Sequence, residues 1–148
     1  MLKFKIKEKH YNISMHPQAR WQQRFSNFKK SFALLQEISS IDSPSEAEEL
    51  GLIKSFEMCF ELAWKTLKDY LNYQGQIINS PRDVIKQASQ NLLINNVDLW
   101  LEALLSRNET THIYDEGVAD RVSTAIKEEY LELLKQFRSN FLKFEEII

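Results

Sequence analysis

Between Arg20 and Ile38 the apolar residues fall in steps of four and three: Trp21, Phe25, Phe28, Phe32 and Leu35. That spacing draws one stripe down a helix, with Arg24, Lys29 and Lys30 off it. The helix is expected to fade near Ile38, ahead of Ser39-Ser40 and the break at Asp42-Ser43-Pro44. Ser43, Pro44 and Glu46 then read as a helix start: an N-cap hydroxyl, proline at the first helical position and a carboxylate at the third. From there no proline occurs before Asn72, and Leu50, Ile53, Phe56, Phe60, Ala63, Trp64, Leu67 and Leu71 share a face, with Gly75 placed to end the helix. Such a helix is ~40 Å long, enough to span a bundle and project into a partner. Ser80-Pro81-Arg82-Asp83 repeats the start signal for a short helix through Val84, Ile85 and Ala88. Another begins near Asp98 and carries Leu99, Trp100, Ala103 and Leu104. A last long helix runs from about Gly117 to the end through Val118, Val122, Ile126, Tyr130, Leu133, Phe137, Phe141 and Phe144.

Residues 1–16 follow another rhythm. Leu2, Phe4 and Ile6 alternate with Lys3, Lys5 and Lys7, a period of two that suits a strand with one wet face. A lone strand has no partner in a helical chain. The segment is a solvated basic arm, a strand paired with its copy in a dimer, or an extension ahead of a true start at Met15. The predicted fold class is therefore all-α: an up-and-down bundle, four-helix-bundle-like with an extra short helix, over residues 17–148, preceded by a basic extension at 1–16. Because apolar faces this long exceed what one small bundle covers, a homodimer is expected.

Composition sharpens this picture by exclusion. The chain has 148 residues, 43% hydrophobic and 27% charged, with three Gly and three Pro, too few turn residues for a sandwich of many short strands. No apolar run approaches the ~20 residues of a membrane span, and the basic start lacks a signal-peptide core, so a cytoplasmic protein with no membrane partner is expected. The single cysteine, Cys59, excludes an internal disulfide and a cysteine-rich metal site; between Met58 and Phe60 it reads as a buried structural thiol. Charge is uneven. Residues 1–40 carry eight Lys/Arg against two Glu, while residues 41–148 carry eleven against nineteen Asp/Glu.

Few side chains offer chemistry. The glycines at 51, 75 and 117 are isolated, so no phosphate-cradling loop exists, and His10, His16 and His112 form no local metal pair. No metal or other cofactor is expected. Glu57, Glu61 and Lys65 recur at helical spacing and suit i,i+4 salt bridges. One segment stands apart, Arg107-Asn108-Glu109-Thr110-Thr111-His112-Ile113-Tyr114-Asp115-Glu116. An arginine fork fits phosphate oxygens, and histidine is the side chain that exchanges protons nearest neutrality. Arg107 and His112 suffice in kind for metal-free RNA cleavage, the imidazole taking a 2′-hydroxyl proton and the guanidinium stabilising the phosphorane. Asn108, Thr111, Asp115 and Glu116 are the supporting polar residues. Five helical residues turn through ~500°, so Arg107 and His112 do not share a face of one unbroken helix. Either the helix breaks there, or the two groups meet across a dimer axis. An extended chain at Thr111–Asp115 would send His112 and Tyr114 to the same side.

The Arg107-to-Tyr114 stretch resembles the R-x4-H-x-Y motif of the HEPN superfamily of prokaryotic helical-bundle proteins. The run from Phe56 to Leu71, with Ser80-Pro81-Arg82-Asp83-Val84-Ile85, Trp100-Leu101 and Arg107-Asn108…His112-Ile113-Tyr114-Asp115-Glu116, is similar to one branch of it, the nucleotidyltransferase substrate-binding proteins. The resemblance covers about Trp21 to Ile148. It implies a two-component system in which the helical protein is encoded beside a minimal nucleotidyltransferase, the pair being similar to the catalytic and helical domains of kanamycin nucleotidyltransferase. It further implies a dimeric ribonuclease toxin with Arg107 and His112 catalytic and Tyr114 as the acceptor of AMP from its antitoxin partner. A non-catalytic subunit that presents a substrate to that partner is the alternative.

Overall fold

The computed structural model describes residues 16–146. Every regular element among them is helical: α1 (Pro17–Ser39), α2 (Glu46–Tyr73), α3 (Pro81–Gln90), α4 (Val97–Glu109), a 3₁₀ turn (Thr110–His112), α5 (Glu116–Ala125), a π turn (Ile126–Tyr130) and α6 (Leu131–Glu146). The π turn joins α5 and α6 into one continuous rod, so the described chain is five helices. The expected strand at 1–16 and the proposed start at Met15 fall outside the described residues. None of the described helices is long and apolar enough to cross a membrane.

Ring and ion contacts fix the helix directions. Trp21 meets Tyr70 at 5.2 Å and Arg24 bonds Asp69 at 3.0 Å, so the start of α1 lies against the end of α2 and the two run antiparallel. Phe60 packs on Trp100 at 5.7 Å while Glu57 lies against Thr110, so α4 also runs against α2. Phe56 stacks on Tyr130 at 5.3 Å and Tyr70 on Phe144 at 5.1 Å, so the α5–α6 rod is parallel to α2. That is an up-down-up-down bundle with α3 as the extra short helix.

The core is aromatic. All five α1 stripe residues are fully buried, and the rings of Phe137 and Phe141 meet Trp21, Phe25, Phe28 and Trp100 from the other side. Edge-to-face pairs dominate these contacts, the geometry that the ring quadrupole favours. Cys59 is buried, and burial pushes its thiol up to about 12, against a weaker opposing hydrogen bond with Ser31. The stripes are thus covered within one chain and do not by themselves require a second copy. Leu50, expected on the inner face of α2, is instead 39% exposed at that helix's first turns.

Helix ends correct one detail. The N-cap of α2 is Ser45, not Ser43: Ser45 Oγ accepts from Glu48 N at 3.1 Å and Ser45 N donates to Glu48 Oε1 at 2.9 Å. Ser43-x-x-Glu46 and Ser45-x-x-Glu48 carry the same signature. The chain must first reverse after α1, and Ser43 does so at φ +50°, which excludes it and Pro44 from the helix. Gly75, at φ +91°, ends α2 as expected, with Gln76 N donating to Leu71 O at 2.9 Å. The Ser80-Pro81 start holds, Ser80 Oγ accepting from Asp83 N.

Candidate functional site at the α4–α5 corner

The polar segment singled out in the sequence forms the corner between α4 and α5. Helix α4 stops because the two β-branched threonines compete with its backbone bonds. Thr110 Oγ1 lies 2.7 Å from Arg107 O and 3.0 Å from Glu57 Oε2, one hydroxyl proton serving both acceptors, and Thr111 Oγ1 lies 3.4 Å from Asn108 O. A 3₁₀ turn carries the chain through His112, with Ile113 still helical in its dihedrals, and Asp115 caps α5 by accepting from Gly117 N at 2.9 Å. The helix therefore breaks between Arg107 and His112. The segment is a tight turn, not the extended stretch considered as one possibility, because each dihedral up to Ile113 stays right-handed.

The turn nonetheless brings His112 and Tyr114 together. His112 Nδ1 lies 3.2 Å from the Tyr114 hydroxyl, and the rings meet edge to face at 5.8 Å. Both are exposed, Tyr114 at 82% of its surface. Arg107 is directed elsewhere. Its Nη2 donates to Glu61 Oε2 at 2.8 Å, its Nη1 lies 3.5 Å from Asn108 Oδ1, and its Nε is buried without a hydrogen-bond partner. Among the described residues no bond joins Arg107 to His112. Asp115 serves as the cap, and Glu116 is exposed in the first turn of α5.

Helix α2 supplies what the sequence reading missed. Glu61 forms the expected bridge to Lys65 at 3.2 Å, and it also accepts from Trp64 Nε1 at 3.0 Å and from Arg107. Burial works against the charge of this carboxylate. The hydrogen bonds from Trp64 and Lys65 and the nearby Arg107 charge outweigh burial and hold it below the usual carboxylate range. Glu57 and Glu61 on α2 face Thr110 in the 3₁₀ turn and Arg107 on α4, so two carboxylates one turn apart anchor two motif residues three apart. That matched spacing was the available signal. The π turn adds a further brace: Tyr130, buried against Phe56, shares a 2.7 Å hydrogen bond with Ser106, the neighbour of Arg107. Burial raises its phenol pKa, against a weaker lowering by Ser106. Arg121 of α5 pairs with Glu109, closing the corner from the other side.

The chain is a bundle of antiparallel helices with a polar corner between α4 and α5. Residues 23–143 match the family model described as nucleotidyltransferase substrate binding protein like, and the chain belongs to that family. A crystal structure of a protein from Thermus thermophilus is similar, at 31% identity and a TM-score of 0.69, over 74% of this chain and 94% of that one. A crystal structure described as a toxin-antitoxin with AMP-PNP shares the fold, at 19% identity and a TM-score of 0.60, over 81% of this chain and 95% of that one. No curated protein matches. The family model links the chain to nucleotidyltransferases by its description, and the toxin-antitoxin structure shares the fold.

Proposed function

We propose that the chain is a HEPN-type ribonuclease toxin, active as a homodimer, that a partner minimal nucleotidyltransferase silences by adenylylating Tyr114. The observation that carries the reading is the 3.2 Å contact between His112 Nδ1 and the hydroxyl of an 82% exposed tyrosine. In the tautomer whose Nδ1–H donates to the Tyr114 oxygen, Nε2 of His112 takes the proton of an RNA 2′-hydroxyl. The resulting alkoxide attacks the adjacent phosphorus, the 5′-oxygen leaves and takes up the proton held by the imidazolium, and a 2′,3′-cyclic phosphate remains. Arg107 stabilises the phosphorane charge. Because Arg107 and His112 are held apart within one chain, two copies would complete the site.

The same contact supports the modification. The Tyr114 oxygen attacks the α-phosphorus of ATP carried by the partner, the bond from that phosphorus to the bridging oxygen breaks, pyrophosphate leaves, and the phenol proton passes to Nδ1 of His112 in the tautomer that carries its hydrogen on Nε2. The product places an anion and a nucleoside beside His112, excluding RNA. The structural likeness to a toxin-antitoxin crystallised with AMP-PNP supports this reading.

One observation favours the substrate-presenting alternative: Arg107 already holds a carboxylate, Glu61, where a phosphate would sit. Cleavage separates the two readings. Purified protein should cut RNA in the presence of chelator, leave 2′,3′-cyclic phosphate ends, and do neither as His112→Ala. RNA left intact from about pH 6 to about pH 8, the range in which an imidazole titrates, would leave Arg107 and His112 as a nucleotide-holding site for the partner.

A further inference from the structure

Tyr114 stands on the rim of a groove of about 560 Å³ between the first turns of α2 and α5, lined by Glu46, Glu49, Leu50, Glu116 and Asp120 among others. Its lining mixes apolar side chains, Leu50 among them at 39% exposed, with four carboxylates. A second hollow of about 440 Å³ continues along α5 past Glu128 and Glu129. Five acidic side chains elsewhere meet cations, among them Asp69 with Arg24 and Glu145 with Lys29, whereas others such as Glu102 and Glu132 are in no ion pair among the described residues. Among the described residues no ion pair involves Glu46, Glu49, Glu116 or Asp120, and Arg121 beside them is taken by Glu109. Glu49 is tied only to the Ser123 hydroxyl, at 2.9 Å.

Two helix N-termini open here, and helix N-termini attract anions. In this protein one first-turn amide of each is taken by the chain's own cap: Glu48 N donates to Ser45 Oγ and Gly117 N to Asp115 Oδ1. Four carboxylates in the lining favour a cationic occupant of the groove itself.

We propose that this groove is the docking site for a lysine- or arginine-rich segment of the nucleotidyltransferase, with one apolar side chain of that segment seated on Leu50. The inference rests on the partnership proposed above and adds the surface that serves it. Carboxylates around Tyr114 draw in the basic segment, speed encounter and set its register, while Leu50 supplies a contact that salt does not screen.

The test is binding of the full chain to the nucleotidyltransferase encoded beside it, by calorimetry, with adenylylation followed by mass in parallel. Glu46→Lys with Asp120→Lys should weaken the complex about tenfold or more at 0.1 M salt, and by much less at 1 M, where the Debye length falls to about 3 Å. Leu50→Ala should weaken it a few-fold at both salts. Glu132→Lys, the same charge change at an exposed site on α6, should leave binding unchanged. Unaltered binding of the double variant, an equal loss with Glu132→Lys, or RNA bound more tightly by wild type than by the double variant would overturn the proposal. If the complex depends on the groove but Tyr114 gains no adenylyl group, the modification reading fails and the docking surface stands. If Tyr114 is modified with the same KM for the partner in both chains, the docking surface fails and the modification stands.

Discussion

The two ends of this molecule are built on opposite terms. Where α1, α2 and α6 meet, Trp21, Phe25, Phe28, Phe137 and Phe141 are buried and each ring touches several others. At the α4–α5 corner, His112 and Tyr114 touch chiefly each other and face water, and Arg107 is held through a single strong bond to Glu61. The first region derives its rigidity from many small contacts that no one residue controls. The second depends on a few directed hydrogen bonds, each removable. Stability and chemistry are therefore separable in this chain, and substitutions should fall cleanly on one side or the other.

The sharpest break is a core truncation. Phe137→Ala, at the centre of the ring cluster, should cost about 3–5 kcal/mol in urea unfolding, with the motif chemistry lost only as the fold is lost. At the corner the pattern reverses. His112→Ala should lower the rate of RNA cleavage on the order of a hundredfold, while its urea midpoint stays near that of wild type, because an exposed side chain buries little. Equal losses of stability in both variants would erase the distinction between the regions.

Glu61 sits on the seam and sharpens the comparison. Glu61→Gln keeps the shape but removes the charge that Arg107 and Lys65 share, and should cost roughly 1 kcal/mol, visible as a lower thermal midpoint. Its pH dependence has a definite sign. A carboxyl held below its usual range stabilises the fold above its ordinary titration and loses that contribution as pH falls through the lower folded value. Wild type should therefore lose part of its margin over Glu61→Gln on acidification below about pH 4.5, and a constant difference down to pH 3, about the acid limit of carboxylate titration, would remove Glu61 from the account. The smallest expected effect distinguishes two serines. Ser45→Ala should cost about 1 kcal/mol through the lost cap, whereas Ser43→Ala should cost no cap bond, measured as a difference in urea midpoints.

Much of the fold was legible because burial repeats. The stripe on α1 and the Gly75 stop follow from periodicity and from glycine's tolerance of positive φ. The final helix was visible too, but its steps of four at Val118, Val122, Ile126 and Tyr130 hid a meaning. Such steps drift about 40° each on an α-helix, and the π turn at Ile126–Tyr130 takes up that drift and keeps Tyr130 inward against Phe56. The sequence reading took Ser43 as the cap, but the overlapping Ser45-x-x-Glu48 signature carries it, and the reversal after α1 made that choice.

The sequence by itself determined the all-helical bundle, the family and the residues of the polar corner, because those depend on local period and on side-chain type. Only the tertiary structure decided that Arg107 turns toward Glu61 and that four carboxylates from α2 and α5 flank the tyrosine. Those contacts join residues up to 74 positions apart, as Ser123 and Glu49 are. Their pairing follows from how the helices pack, which no local pattern encodes.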